Sequence, residues 1–179
     1  MKALVLPILV PMATAAIMLL TTRRPALQRW IGLAGALGLL ASAIAVFRQV
    51  DAGGIQVLQV SGWPAPFGIT LVSDLLTSLL LTAVGIVAVA VTGAAFAGVD
   101  PRREAFGYHP LIQILLMGVS GAFLTGDFFN LYVWFEVMLV ASFVLMVLHR
   151  SRAQLEAAYK YVTINLIASS IFLIGRAHV

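Results

Sequence analysis

Cysteine is absent from the sequence, which excludes a disulfide framework, a thiol nucleophile and any cysteine-held zinc or iron–sulfur centre. Charge is scarce as well. Only 10% of the residues are Asp, Glu, Lys or Arg, against roughly 25% in soluble domains, so a water-soluble globule is excluded. The three histidines, His109, His149 and His178, stand too far apart to suggest a metal cluster. No phosphate-binding glycine loop, dinucleotide fingerprint, HExxH pair or serine elbow appears. Neither a cofactor nor a bound metal is expected.

What is present is apolar: 61% of the 179 residues are hydrophobic and the mean hydropathy is +1.04. These residues come in runs of about 20, the length that crosses ~30 Å of hydrocarbon. The lipid bilayer is therefore the main solvent of this chain. A net charge of +4 would suggest nucleic acid in a soluble protein. Here the cations sit in short clusters between apolar runs, where membrane topology explains them, and no nucleic-acid partner is expected.

The pattern predicts an all-α membrane fold, a polytopic bundle of about six transmembrane helices over 3–20, 30–47, 71–97, 110–125, 128–148 and 159–175. The first run can also be read as a cleavable signal peptide, with Lys2 before it and Ala13-Thr14-Ala15 as the cleavage site. The apolar run continues past that site and Arg23 and Arg24 follow it, which favours a helix. The second run carries Gly32, Gly35, Ala36, Gly38, Ala41 and Ser42, small residues that let helices approach closely in lipid. Between the second and third runs, Ile55 to Val60 alternates as a strand does, and Gly62-Trp63-Pro64-Ala65-Pro66 reads as turns. An extramembrane β-hairpin-like loop with Trp63 near the interface is predicted. The sixth run is barely long enough to cross before Arg176-Ala177-His178-Val179.

Arg23, Arg24, Arg29, Arg102, Arg103, Arg150, Arg152 and Lys160 follow runs one, three and five, whereas the alternate side holds mainly Lys2 and Arg48. Cationic loops stay cytoplasmic. The N-terminus, the hairpin and His178 are thus expected outside, and Lys160 at the inner end of the sixth helix.

Glu136 lies eight residues into the fifth run, about 12 Å deep at 1.5 Å per residue. An ionised, unpaired carboxylate there costs several kcal/mol, so the group must be protonated, paired or hydrated. Each state makes it a candidate proton or cation carrier, because a moving cationic partner switches its proton affinity. The competing reading is a permanently protonated carboxyl that only bonds a neighbouring helix. His109, Gln113 and Ser120 share one face of the fourth helix, either as a polar path or as an interfacial histidine with cross-helix hydrogen bonds. Asn165 and Ser169 pose the same choice on the sixth. Asp127 either caps the fifth helix or meets an incoming cation. Asp74 reads as interfacial. Lys160 either pairs with Glu156 four residues before it or feeds a proton inwards.

The run Gly-Val-Ser-Gly-Ala-Phe-Leu-Thr-Gly-Asp-Phe-Phe-Asn-Leu-Tyr-Val-Trp-Phe-Glu-Val from Gly118 to Val137 resembles the signature of the D subunits of Mrp-type monovalent cation/proton antiporters. Gly54 to Val60, Gly62 to Ile69 and Ala158 to Val162 support the resemblance in matching order. That family is homologous to the antiporter-like membrane subunits of respiratory complex I. The resemblance implies transmembrane proton translocation within a hetero-oligomeric complex of a bacterial cell membrane, exchanging Na+ or K+ for protons beside other antiporter subunits. Glu136 matches the family's helix-five glutamate, which pairs with a lysine on helix seven. The family has about fourteen helices and two inverted repeats, so the resemblance implies that this chain is a truncated N-terminal portion. A proton-pumping complex I subunit and an inactive structural or assembly fragment are the alternatives.

Overall fold

Apolar stretches of the sequence become a bundle of antiparallel helices in the computed structural model, which describes residues 2–22, 24–63, 68–148 and 151–176. A 3-10 turn over Lys2–Val5 leads into α1 (Leu6–Leu20), whose Pro7 and Pro11 are both buried. Helix α2 (Pro25–Gly53) starts on a proline, where the missing N–H costs nothing. It runs 29 residues, about 43 Å at 1.5 Å per residue, well beyond the 30–47 expected. Arg48, Gln49 and Asp51 simply continue the helix past its apolar part. Of its small residues, Gly32, Gly35, Ala36 and Ser42 are buried, while Ala41 faces outward.

The predicted hairpin is a two-stranded antiparallel sheet. Strand β1 (Gln56–Gln59) pairs with β2 (Thr70–Ser73), with Gln56 opposite Ser73 and Gln59 opposite Thr70. Leu71, Val72 and Ser73 therefore belong to a strand, and the third helix starts later than expected, as α3 (Leu75–Gly98). Its start is fixed by Asp74, whose Oδ1 accepts the Thr77 backbone N–H at 2.7 Å. That bond holds the Asp74 carboxyl below the ordinary carboxylate range. Trp63 is exposed, and the turn residues Pro64, Ala65 and Pro66 lie outside the described residues.

A five-residue helix, α4 (Pro101–Ala105), fills the link after α3. Gly107 then turns the chain at φ +89°, a left-handed conformation that suits glycine, into α5 (Tyr108–Leu124). Next come α6 (Phe128–Val147) and α7 (Arg152–Arg176). Helix α7 begins seven residues before the expected 159, because the polar but helix-favouring Arg152 to Ala158 extends it. Among the described residues, five helices, α1 with its preceding turn, α2, α3, α6 and α7, are long and apolar enough to cross a membrane, and α5 is a shorter apolar helix of 17 residues.

One end of the bundle carries the sheet and the α5–α6 turn, joined where the Gly126 N–H donates to the Thr70 carbonyl at 2.8 Å. The main core lies there, built from Leu4, Ile8, Val46, Val50, Leu81 and Leu124 with Leu71 of β2. The opposite end carries α4 and the starts of α2, α5 and α7. Burial falls steeply across the bundle: 39% of the apolar part of α1 and of α2 is buried, 11% of that of α6 and 6% of that of α7. The outer faces of α6 and α7 are thus bare.

Helix α6 docks on α5 through a glycine. A Cβ on Gly121 would run into the indole ring of Trp134. Gly121→Ala is therefore expected to destabilise the bundle by about 1–3 kcal/mol, the cost of overpacking a filled contact, read as a lower thermal aggregation midpoint in detergent. An unchanged midpoint would show that the indole moves freely.

Candidate functional site

Glu136 occupies the middle of α6, half-buried. Residues 132, 135, 136, 139 and 142 fall within about one third of the helix circumference, with Glu136 and Ser142 at its two edges. That face lines a groove of about 480 Å³ between α5, α6 and α7. Seven of its thirteen lining residues are leucine, phenylalanine, methionine or alanine, and the other six are polar: Glu136, Tyr132, Ser142, Tyr161, Asn165 and Ser169. Among the described residues no hydrogen bond or ion pair reaches the Glu136 carboxyl. A half-buried carboxyl with no side-chain partner is stable when protonated or when water reaches it, and the polar side chains around it suit such water, so the groove suits a proton-exchanging group.

Asn165 and Ser169, ambiguous in sequence, face this same groove from α7. The Asn165 amide also donates to the Tyr161 carbonyl at 2.8 Å. Tyr161 and Ser142 join hydroxyl to hydroxyl at 3.1 Å across the α6–α7 contact. Lys160 lies outside the groove. Its ammonium donates to Glu156 at 2.6 Å on an exposed face, the i,i+4 pair that the spacing suggests.

Asp127 caps α6: its Oδ1 accepts the Asn130 N–H at 2.7 Å. A second groove of about 370 Å³ touches it, lined also by Val72, Thr125, Gly126, Phe128 and Leu131. Asp127→Ala removes the cap and is expected to cost about 1 kcal/mol of stability, whereas Asp127→Asn is expected to retain most of it. Thermal unfolding of the two variants checks this.

His109 sits at the other end of the molecule from Asp127, and its ring is buried. Its Nε2 lies 2.9 Å from Oε1 of Glu104, a buried carboxylate that also receives Arg29 through Nε at 2.7 Å and Nη2 at 2.8 Å. The Arg29 hydrogen bonds hold the Glu104 carboxyl below its ordinary value, helped by His109 and opposed by burial. Gln113, one turn further along α5, donates to the Gly32 carbonyl at 3.1 Å. Both Gln113 and Ser120 are fully buried on the His109 face. Sequence reasoning misses Glu104, because it sits in a charged link and its partner Arg29 is 75 residues away. The only available signal is the five-residue spacing to His109. Among the described residues, no group of three His, Cys, Asp or Glu side chains fits a metal ion; His149 and His178 lie outside them.

The groove and the buried cluster are distinct. Glu136, Asn165 and Ser169 come together, while His109, Lys160 and Asp127 each make separate contacts away from Glu136.

Comparison with known proteins gives a consistent picture. Residues 125–179 match the family described as NADH:quinone oxidoreductase/Mrp antiporter, TM. The chain is 42% identical over 175 residues to the D subunit of the Na(+)/H(+) antiporter of Alkalihalophilus pseudofirmus, covering 98% of this chain and 36% of that protein. It is 40% identical over 178 residues to the D subunit of a probable K(+)/H(+) antiporter of Rhizobium meliloti, covering 96% and 33%. Among solved structures, the Mrp complex of Dietzia sp. DQ12-45-1b contains a chain with a TM-score of 0.87 and 34% identity, covering 99% of this chain and 34% of that one. This chain thus spans about a third of the length of the curated relatives it matches. The long apolar helices and these likenesses together make it a multi-pass membrane protein.

Proposed function

We propose that this chain, a homologue of the D subunits of Mrp-type antiporters, is a single membrane domain belonging to a longer antiporter subunit and takes part in exchanging Na+ or K+ for protons. Glu136 is its switchable proton site. The observation that carries this reading is the Glu136 carboxyl in a polar-lined groove, half-buried in a membrane helix and free of any partner among the described residues. An acid held there is stable only while it gains, loses or shares a proton. The bare faces of α6 and α7 suit further helices or neighbouring antiporter subunits that close the groove and bring a cation to Glu136.

The sheet end faces outward in this reading and the α4 end lies in the cytoplasm of a bacterial cell, since Arg24, Arg29, Arg102, Arg103 and Arg152 gather at the α4 end. The N-terminus is then outside. Asp127 opens the outer approach to Glu136, and His109 and Lys160 stand near the inner surface. Glu104, Arg29 and His109 hold the α2–α4–α5 junction and take no direct part in transfer. The protein works as a secondary transporter subunit, with the chemistry confined to proton and cation movement.

Growth of antiporter-deficient cells at high sodium tests the reading. Co-expression with the partner subunits is expected to restore growth with the native sequence and not with Glu136→Gln. Equal growth with both would remove Glu136 from the mechanism. Failure of both, with the complex assembled, would favour an inactive assembly role.

A further inference from the structure

We infer that the Tyr161 hydroxyl, held by Ser142, is the relay that passes protons between Glu136 and the cytoplasmic surface, with Asn165 ordering the water between them; the inference rests on the proton-site reading of Glu136.

Three observations lead to this. First, of the residues from 161 to 170 on α7, the inward-facing ones include Tyr161, Asn165 and Ser169, at successive intervals of four, and all three line the Glu136 groove. An i,i+4 row of polar groups turned away from lipid is unexpected unless it has polar company. Second, the Ser142–Tyr161 bond fixes the register of α6 against α7. Glu136 then lies six residues from Ser142 along α6, about 9 Å towards the sheet end, and Asn165 lies four residues from Tyr161 along α7, about 6 Å the same way. Asn165 therefore stands at a height between the carboxyl and the hydroxyl pair. Third, the groove's volume of about 480 Å³ has room for roughly sixteen waters at ~30 Å³ each. The six polar side chains supply the partners that such waters need.

A hydroxyl is suited to this position because it donates and accepts at one atom. A proton leaving Glu136 moves onto groove water. The water beside Tyr161 gives a proton to the Tyr161 oxygen as the existing Tyr161 O–H bond breaks towards water on the cytoplasmic side. The O–H bond formed replaces the one lost, and the phenol ends neutral. Ser142 donates its own O–H to the Leu139 carbonyl at 3.0 Å, so it accepts the Tyr161 O–H between transfers. It keeps the Tyr161 oxygen in place while that O–H turns to cytoplasmic water to release its proton, which makes Ser142 a positioning residue. The direction fits the bundle: Tyr161 lies on the α4-end side of Glu136, the side where Lys160 and Glu156 meet water.

The test is cation-driven proton flux in everted vesicles carrying the assembled complex. Tyr161→Phe keeps the ring and loses the oxygen. It is expected to lower the maximal rate about 10-fold, below the ~100-fold or more of an indispensable proton-transfer group because water partly bypasses the gap. The KM for Na+ should stay unchanged. Ser142→Ala should give a smaller loss, and the double variant should match Tyr161→Phe alone, as two groups acting as one unit do. Parental flux in Tyr161→Phe, with Glu136→Gln inactive, would overturn the relay and leave the proton site standing. A rate loss that only tracks a lower amount of assembled complex would also overturn it. Undiminished flux in Glu136→Gln would remove the proton-site reading itself.

Discussion

Glu136→Gln is expected to lower cation-driven proton flux at least about 100-fold, the smallest loss typical of removing a positioned proton-transfer group. Glutamine matches glutamate in size and hydrogen-bonds through the same positions, so the half-buried site in α6 keeps its packing. What disappears is the ability to exist in two charge states. In the proposed role the carboxyl holds a proton in one step of the cycle and meets a cation in another. The amide cannot respond to either event. Glu136→Asp keeps the chemistry and withdraws the carboxyl by one methylene, so an intermediate flux is expected, since displacements of about 1 Å cost up to ~100-fold in positioned reactions. Sodium-induced dequenching of a pH-sensitive dye in everted vesicles, normalised to assembled complex, ranks the variants. Glutamine at the parental rate, or aspartate below glutamine, would contradict a titrating role.

The place of Glu136 deep in a membrane helix is legible because two simple signals agree: an apolar run of membrane length, and a single acid far from both its ends. The same holds for the Glu156–Lys160 pair and for the alternation of Gln56 to Gln59, both short-range patterns written in adjacent residues. Less legible is anything set by partners distant in sequence. Leu71 to Ser73 reads as the head of an apolar helix, and only its pairing with β1 makes it a strand. Arg48 to Gly53 and Arg152 to Ala158 read as loops because charge ends an apolar run, yet charge ends only the part of a helix in lipid. The local pattern at Asp127 allows either a cap or a cation contact, and its bond to the Asn130 N–H is the cap. Along its own helix His109 shares a face with Gln113 and Ser120. Its partner is Glu104 on α4, and nothing in that helical pattern points there.

Glu104→Ala is expected to destabilise the bundle by about 3 kcal/mol, near the lower end of the ~3–5 kcal/mol for breaking a buried ion pair by removing one partner. Glu104 is 2% exposed and serves two cross-helix contacts at once, Arg29 on α2 and His109 on α5. Its loss strands the buried His109 ring. Arg29 keeps 30% of its side chain exposed and can turn to water, which holds the loss at the lower end. Neither α1 nor α3 contains an ionisable side chain, and the other charges on α4, Arg102 and Arg103, are cations that cannot replace a carboxylate. The pH dependence has a definite sign. The folded Glu104 carboxyl titrates below its unfolded counterpart, so its contribution is fully present above the unfolded value and is lost as pH falls through the folded one. The native protein should therefore lose stability on acidification below the ordinary carboxylate range. Glu104→Ala should start lower and show a shallower acid limb. Unfolding in bicelles at neutral and acidic pH measures both, and a parallel loss in the two proteins would show that other carboxylates set the acid limb.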